Sequence, residues 1–238
     1  MAAAVPKLPA VFVGRAFELR SLSLLQSRLS MTLAHVGSRG DGGVDLQGWW
    51  WVPRLDEGKD RDRRAVRVLA QCKALKLKLG PIHVRELEGA ALVQQHSFVA
   101  DAQDPSATGA KQQELVAMII SLSGFTSNAI KRAMASPIPF LLLHLPAPLP
   151  EGEEENPQPL LIPTTPGSDS IGSIIWNFKL SGATGLLGGH MEVRWALGQR
   201  RGEGEQAEGG RPVLYWKGKK LEHWVPETQD IGGRFSGI

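Results

Sequence analysis

Seven prolines fall within residues 146–170, beside a cluster of glutamates, and they constrain the fold more than any other feature. Proline lacks a backbone donor and clashes with the preceding helical turn, so this stretch can form neither a continuous helix nor a central strand. It therefore predicts an extended connector between residues 1–145 and residues 171–238. The formal charge is +6 for residues 1–145 and −3 for residues 146–238. If one part binds a polyanion, the first part is the candidate.

The composition excludes several classes of protein. The chain has 238 residues, of which 42% are hydrophobic and 21% charged, and this balance is typical of a globular chain rather than a disordered one. Its single cysteine excludes a disulfide framework and a zinc site built from several cysteines, and its histidines do not stand at zinc-ligand spacings. No uninterrupted apolar run reaches the roughly 18 residues of a membrane-spanning helix, so we expect no membrane partner.

Hydrophobic periodicity predicts alternating helices and strands in the first part. The clearest strand covers residues 65–75, because it is rich in β-branched residues and bounded by charged ones. The second part predicts a β-rich extension with a hairpin turn at Gly218. The order of elements in the first part predicts an α/β sandwich. Its helices are expected at 15–28, 82–96 and 127–135, and its strands at 31–37, 44–52, 65–75, 114–122 and 139–145.

Three polar residues are expected at one edge of this sheet. Successive side chains of a strand point to opposite faces, so Gln71 and Lys73 share one face while Cys72 points to the other. Asp45 begins the preceding strand, and antiparallel pairing of the two strands would bring it close to Gln71 and Lys73. Polar groups that converge beside a sheet are costly unless they bind a ligand or an ion. Mg²⁺ is a suitable ion, since it prefers oxygen ligands and retains water molecules.

Four ordered motifs carry a resemblance to a known family. They are Phe17-Glu18, the run GDGGVDLQG at 40–48, Gln71-Cys72-Lys73 and the run VRELEG at 84–89, followed by Gly124-Phe125-Thr126. This order resembles the Mrr-like branch of the PD-(D/E)XK nuclease superfamily. In detail it is most similar to the fungal mitochondrial "required for respiratory growth" family. The resemblance covers about residues 15–145. It implies a restriction-endonuclease-like αβα sandwich with a mixed central sheet, followed by the β-rich C-terminal extension.

The resemblance also implies roles for the site residues. Asp45 would bind Mg²⁺ (or Mn²⁺) directly, Gln71 would offer its side-chain carbonyl oxygen, and Cys72 would offer its backbone carbonyl. Lys73 would orient the attacking water or stabilise charge in the transition state. Glu18, reaching from the first helix, would hold a metal-bound water or a second ion. The implied reaction is the hydrolysis of phosphodiester bonds.

Each of these residues also has a structural interpretation. Asp45 could be a turn residue that satisfies backbone amides, and Glu18 an early-helix carboxylate favoured by the helix dipole. Gln71 could be a strand-end amide without a metal, and Lys73 one of several solvated lysines. The Cys72 side chain, which points to the opposite face, is expected to pack as a small buried hydrophobe rather than act as a nucleophile.

A basic group follows the third motif and is a candidate for contacts with phosphates. An ordinary solvated surface is the alternative. The group consists of Lys76, Lys78, His83 and Arg85. The three consecutive tryptophans at 49–51 are expected to serve packing in the core, with stacking on an unpaired base as the alternative.

The sequence is compatible with three functions. The first is a metal-dependent DNA endonuclease that acts in mitochondrial DNA maintenance, for which a homodimer would help to cut both strands. The second is a catalytically inactive nucleic-acid-binding protein that keeps the nuclease fold. The third is a structural component of a mitochondrial assembly. The mitochondrial assignment follows from the resemblance, because the Arg- and Ser-rich residues 1–31, which look like a presequence, also contain the first predicted helix.

Overall fold

A computed structural model describes residues 9–36, 42–56, 62–101, 114–147, 171–196 and 211–226. Helices and strands alternate along the first part of the chain, and short strands dominate the second. The elements are α1 (Ala10–Arg28), β1 (Met31–His35), β2 (Leu46–Pro53), β3 (Arg63–Lys73), α2 (Pro81–Asp101), β4 (Leu115–Ser121), α3 (Ser127–Met134), β5 (Phe140–His144), β6 (Ser173–Trp176), α4 (Phe178–Ser181), β7 (Met191–Ala196), β8 (Arg211–Trp216) and β9 (Lys219–Lys220).

The central sheet has six strands in chain order from β1 to β6. The neighbours β1, β2 and β3 pair antiparallel, β3, β4 and β5 pair parallel, and β6 returns antiparallel to β5. The order from β1 to β5 follows from the connections, since short loops join the antiparallel strands and a helix crosses between the parallel ones. Strand β6 reaches β5 through the long proline-rich stretch. The predicted α/β sandwich with a mixed central sheet is therefore confirmed.

Two apolar clusters cover the two faces of the sheet. One lies on the side of α1 and includes Phe17, Val68 and Cys72. The other lies on the side of α2 and α3 and includes Leu69 and Leu87. The alternation of β3 residues between the clusters confirms the predicted parity of that strand. Burial of a large apolar side chain stabilises the fold by about 1.5–3 kcal/mol, so the two clusters hold the layers together.

The three tryptophans of β2 all lie in the core. Trp49, Trp50 and Trp51 are at most 6% exposed. The Trp51 indole donates a hydrogen bond of 2.8 Å to Thr32 Oγ1, and the Arg67 guanidinium stands 5.4 Å from the centre of the Trp49 ring. The expectation that these rings pack in the core rather than stack on bases is confirmed.

Most element ends differ from the predicted ones by one or two residues, and the start of α1 and the end of α2 differ by five. Helix α1 begins at Ala10 rather than at residue 15, because Pro9 offers its carbonyl to the first amides of the helix. Helix α2 continues beyond the predicted residue 96 and ends at Asp101. Strand β3 ends at Lys73, whose partner Ser121 is the last residue of β4. A strand continues only while its neighbour supplies backbone partners, so Ala74 and Leu75 lie outside the sheet.

The second part of the chain completes the core of the first. Strand β6 pairs with β5, and the apolar cluster beside α1 includes Leu187, Met191 and Trp216. Strands β7, β8 and β9 form a second sheet, and the turn at Lys217 and Gly218 has positive φ values of 48° and 78°. The predicted β-rich region and its hairpin turn are confirmed. The boundaries at 145/146 and 170/171 stay predictions, and most of the predicted connector lies outside the described residues.

The buried amide of Asn177 joins the second part to the first. Its Oδ1 accepts hydrogen bonds from the backbone amides of Phe140 and Leu180, at 3.0 and 3.1 Å, and its Nδ2 donates to the carbonyl of Ile138 at 2.8 Å. Because a buried amide is costly unless it is satisfied, these bonds fix the position of β6 against β5. Among the helices of the described ranges, none combines the length and the apolar character needed to cross a bilayer.

Candidate active site

The start of β2 and the end of β3 meet at one edge of the central sheet. Leu46 stands opposite Ala70, so antiparallel register places the preceding Asp45 beside Gln71. The Asp45 amide donates a hydrogen bond of 2.9 Å to the carbonyl of Ala70. Its carboxylate oxygen Oδ2 accepts a hydrogen bond of 2.6 Å from the amide of Cys72. The expected meeting of Asp45 with the Gln71-Cys72-Lys73 motif is thus present, and so is the backbone contact of the structural interpretation.

Two glycines make the close approach of these strands feasible. Gly42 and Gly43 have φ values of +67° and +81°, a conformation that glycine adopts at little cost. The carbonyl of Gly43 accepts a hydrogen bond of 2.8 Å from Gln71 Nε2. A Cβ atom on Gly43 would lie 2.6 Å from that nitrogen. The glycine pair before Asp45 is therefore required both by the turn and by the space that Gln71 occupies.

The side chain of Gln71 carries an unusual acceptor. The residue is 2% exposed, and its bond to the Gly43 carbonyl identifies the end that carries the nitrogen. The other end, Oε1, is buried and receives no hydrogen bond from any described residue. A buried acceptor without a donor costs about 1–3 kcal/mol. Amide oxygens are ligands of hard cations, so this oxygen suits a metal ion in its chemistry.

The Cys72 thiol packs in the apolar cluster beside α1. Burial raises the pKa of this thiol most, and the negative charges of Asp45 and Glu18 raise it further, while a hydrogen bond with Ser21 and the charge of Lys73 lower it. A thiol held protonated is a poor nucleophile, which agrees with the expected packing role.

Glu18 reaches this edge from the α1 side of the sheet. His35 Nε2 donates a hydrogen bond of 2.6 Å to Glu18 Oε2, and Arg15 lies 3.4 Å from the same oxygen. His35 ends β1 and stands opposite Leu46, and the next residue, Val36, donates a hydrogen bond to the Asp45 carbonyl at 3.0 Å. His35 could not be recognised from the sequence, because it stands at no ligand-type spacing. Only the pairing of β1 with β2 brings it beside Asp45.

A row of three polar residues crosses the parallel strands at the same edge. Lys73 pairs with Ser121, and Ser121 pairs with His144. Burial lowers the pKa of His144, a hydrogen bond with the Leu122 backbone partly opposes this, and the charge of Lys78 lowers it again. His144 therefore tends to stay neutral. It was also missed from the sequence, because the register of parallel strands cannot be deduced from spacing.

The predicted nucleic-acid-binding group lies directly beyond Lys73. Lys76, Lys78 and Arg85 are exposed, and the partly buried His83 has its Nδ1 atom 3.3 Å from a Glu86 carboxylate oxygen. The loop that carries the lysines is held in place, since Ser123 Oγ donates a hydrogen bond of 2.6 Å to the Leu77 carbonyl and the Leu79 amide donates to the Gly124 carbonyl at 3.0 Å. The structure places these side chains beside the edge, at the surface.

The donor set at the edge fits a hard cation better than a soft one. The described part of the chain contains no group of three or more His, Cys, Asp or Glu side chains placed to hold a metal ion. The oxygen donors on the neighbouring residues 45 and 71 are the Asp45 carboxylate and the buried Oε1 of Gln71. Mg²⁺ is commonly held by one or two protein carboxylates and keeps several water molecules, so a small set of oxygen donors suffices for it.

Comparison with solved structures finds one significant similarity, to the MspJI restriction endonuclease in complex with a 27-mer oligonucleotide. The TM-score is 0.34 and the sequence identity is 18%, over 60% of this chain and 33% of the endonuclease chain. This chain thus spans about a third of the length of the protein that it matches. No curated protein sequence matches it at a significant level.

The family comparison covers strands β1 to β5 of the central sheet and the candidate site. The profile of the family described as "Required for respiratory growth protein 7" matches residues 9–63 and 55–159. The two segments overlap and together span more than half of the sequence, including Glu18, Asp45, Gln71 and Lys73. The chain therefore belongs to the Required for respiratory growth protein 7 family.

Proposed function

We propose that this protein is a metal-dependent nuclease that hydrolyses phosphodiester bonds in DNA, with Mg²⁺ or Mn²⁺ as its cofactor. The observation that carries the proposal is the buried oxygen of Gln71, which has no donor among the described residues, beside the Asp45 carboxylate. An acceptor of this kind is destabilising unless a ligand uses it. The order of the motifs around Asp45 and Lys73 supports membership of the Mrr-like branch of the PD-(D/E)XK superfamily.

Asp45, Gln71 and the Cys72 backbone carbonyl would hold the metal ion, and Glu18 would hold a bound water or a second ion. When bound, the metal ion supplies a water of lowered pKa and neutralises negative charge on the phosphate. The Asp45 carboxylate is oriented by the Cys72 amide, and His35 orients Glu18. The Lys73 ammonium would orient the attacking water or stabilise the charge that develops on the phosphate.

The surface beyond Lys73 supports DNA as the substrate. Lys76, Lys78, His83 and Arg85 follow the proposed centre in the loop and the first turns of α2. Contacts of such side chains with phosphates position a nucleic acid without reading its sequence. The name of the family refers to respiratory growth. Because respiration is mitochondrial, we place the protein in mitochondria and assign it to the maintenance of mitochondrial DNA.

The test is cleavage of labelled duplex and single-stranded DNA by the purified full chain, with Mg²⁺, with Mn²⁺ and with EDTA. We expect cleavage only with metal, and a loss of at least about 100-fold in Asp45→Asn and in Lys73→Met. The matched controls are Asp56→Asn and Lys131→Met, which remove the same charges at exposed positions that are not part of the proposed site. Cleavage that survives both site variants would contradict the proposal. Light scattering on the same samples tests the homodimer.

A second candidate function is a nucleic-acid-binding protein without nuclease activity. Two observations favour it: Gln71 contributes no charge to metal binding, and Glu18 already bonds to His35 and to Arg15. This function predicts DNA binding that weakens steeply with salt, with no cleavage under any metal. Turnover that depends on both the metal and Asp45 would exclude it.

A further inference from the structure

A groove lies at the far end of the β2–β3 hairpin from Asp45. Pro53 ends β2 and Arg63 begins β3, and both line a pocket of about 560 Å³. β2 has eight residues, each rising by about 3.3 Å, so the groove lies roughly 25 Å from the proposed metal centre. The remaining lining comes from the C-terminal hairpin and the segment after it: Trp216, Lys217, Lys219, Lys220, Leu221, Glu222, His223 and Trp224.

Hydrogen bonds hold the wall of this groove in position. The segment 221–226 has no regular secondary structure, but hydrogen bonds attach it to the first part of the chain. His223 Nε2 donates to the carbonyl of Gln26 at 2.6 Å, and the Trp224 amide donates to Ser30 Oγ at 3.0 Å. Arg63 Nη2 donates to the Glu222 carbonyl at 3.3 Å. A groove held in this way needs little ordering when a ligand binds.

The described lining is strongly basic. Lys217, Lys219 and Lys220 are exposed on the hairpin, Arg63 lines the same pocket, and Glu222 is the one acidic residue among the lining residues. Residues 146–238 carry a net charge of −3, so the hairpin concentrates positive charge within an acidic region. A concentration of this kind attracts a polyanion.

An aromatic ring stands beside these lysines. Trp224 is 36% exposed, and its ring makes a T-shaped contact with the buried Trp51, with centroids 5.8 Å apart and planes at 75°. That contact, together with the bond of its amide to Ser30, fixes the position of the ring. Fixed aromatic rings beside lysines are the elements by which proteins bind single-stranded nucleic acids, with stacking on the bases and ion pairs to the phosphates.

We propose that this groove binds a single-stranded nucleic acid, with phosphates on Lys217, Lys219 and Lys220 and a base stacked on Trp224. An acidic peptide would use the lysines but would not need the exposed ring. The groove shares no residue with the proposed metal centre. The proposal therefore goes beyond the proposed function and does not depend on it.

The experiment measures binding of a fluorescein-labelled 15-mer oligothymidylate to the full chain by anisotropy, in EDTA so that no metal-dependent cleavage interferes. The variant Lys217→Gln/Lys220→Gln is expected to bind about tenfold more weakly. Its slope of log affinity against log salt should fall by about 1.4, since each lost phosphate contact on a single strand contributes about 0.7. The matched control is Lys131→Gln/Lys179→Gln, which removes two exposed lysines outside the groove and should stay within twofold of wild type.

The aromatic half of the proposal has its own variants. Trp224→Ala is expected to weaken binding about tenfold or more, and Trp224→Phe to restore most of the loss, because stacking requires a ring. Thermal unfolding of both variants verifies that the fold is intact. Equal losses in the two lysine pairs would overturn the proposal, as would displacement of the oligonucleotide by polyglutamate at an equal concentration of charges.

Discussion

The Asp45 carboxylate accepts a hydrogen bond from the backbone amide of Cys72, at 2.6 Å. Through this contact the side chain of the residue before β2 takes the place of a strand partner at the end of β3. The bond therefore contributes to the stability of the sheet edge whether or not a metal ion is bound. Substitutions that keep or remove this bond can therefore separate the structural role of Asp45 from its proposed role as a metal ligand.

Asp45→Ala should lower the free energy of unfolding by about 1–3 kcal/mol, because the Cys72 amide loses its acceptor. Asp45→Asn keeps an acceptor oxygen and should cost about 0.5 kcal/mol or less, although it removes the charge needed for a metal ion. Urea denaturation in EDTA measures both values. Equal stability of the two variants would contradict the importance of this bond.

Gly43→Ala should destabilise the protein by about 1–3 kcal/mol, because its φ of +81° is strained for alanine and the new Cβ would meet Gln71 Nε2. The matched control is Gly89→Ala within α2, where a Cβ has open space. That substitution should stabilise the helix by about 0.5–1 kcal/mol. Chemical denaturation should show that Gly43→Ala lowers the free energy of unfolding and that Gly89→Ala raises it. A loss of the same size in both variants would contradict the described turn before Asp45.

Gln71→Glu tests the metal site without an activity assay. A second buried carboxylate beside Asp45 disfavours ionisation of both, so the melting temperature in EDTA should fall by about 4–8 °C, corresponding to about 2 kcal/mol. Addition of 1 mM Mn²⁺ should reverse the loss, since a ligand that binds the folded state stabilises it. Gln71→Leu should show no stabilisation by Mn²⁺. If Mn²⁺ changes the melting temperature of neither variant, Gln71 is not a metal ligand.

Glu18 and His35 should be energetically coupled. A double-mutant cycle with Glu18→Gln and His35→Gln is expected to give a coupling energy of about 0.5–1 kcal/mol, because both side chains are partly exposed and solvent screens the pair. The coupling should shrink as salt is added. Additive effects of the two substitutions at low salt would show that the contact does not hold Glu18 in place.

The lowered pKa of His144 predicts a dependence of stability on pH. The unfolded chain takes up a proton on this ring near pH 6.5, before the folded protein does, so the contribution to stability is complete above that pH and is lost as the pH falls. The free energy of unfolding should therefore decrease from pH 7 to pH 5, by at most about 1.4 kcal/mol per pH unit from this group. His144→Gln should flatten the curve in denaturation series across this range. If stability changes with pH as steeply in His144→Gln as in the wild type, His144 is not the source of the dependence.

The part of the site that could be predicted depends on short-range rules. Gln71 and Lys73 share a face because a strand has a period of two, and Asp45 meets them because a short loop forces antiparallel pairing. The pair of Glu18 and His35 depends on how α1 packs across β1, and the sequence contains no periodic sign of that contact. The row from Lys73 to His144 depends on the register of parallel strands, which crossover helices leave open.

The second part of the chain shows the same limit on a larger scale. Its strands and the turn at Gly218 follow from local patterns, whereas the pairing of β6 with β5 and the attachment of Trp224 to Ser30 join residues far apart in sequence. The basic groove could not be recognised from the net charge of this part, which is −3. A sum over 93 residues cannot show that three lysines stand on one hairpin.

The position of β6 has a consequence for biosynthesis. The sixth strand of the central sheet lies beyond the proline-rich stretch, so a ribosome must reach Trp176 before the row of backbone groups along β5 has its last partner. Until then the nascent chain exposes an unpaired strand edge, which is a template for pairing with other chains. A shortened protein that stops within residues 146–170 would keep that edge permanently, and we expect it to self-associate rather than to accumulate as a smaller folded unit.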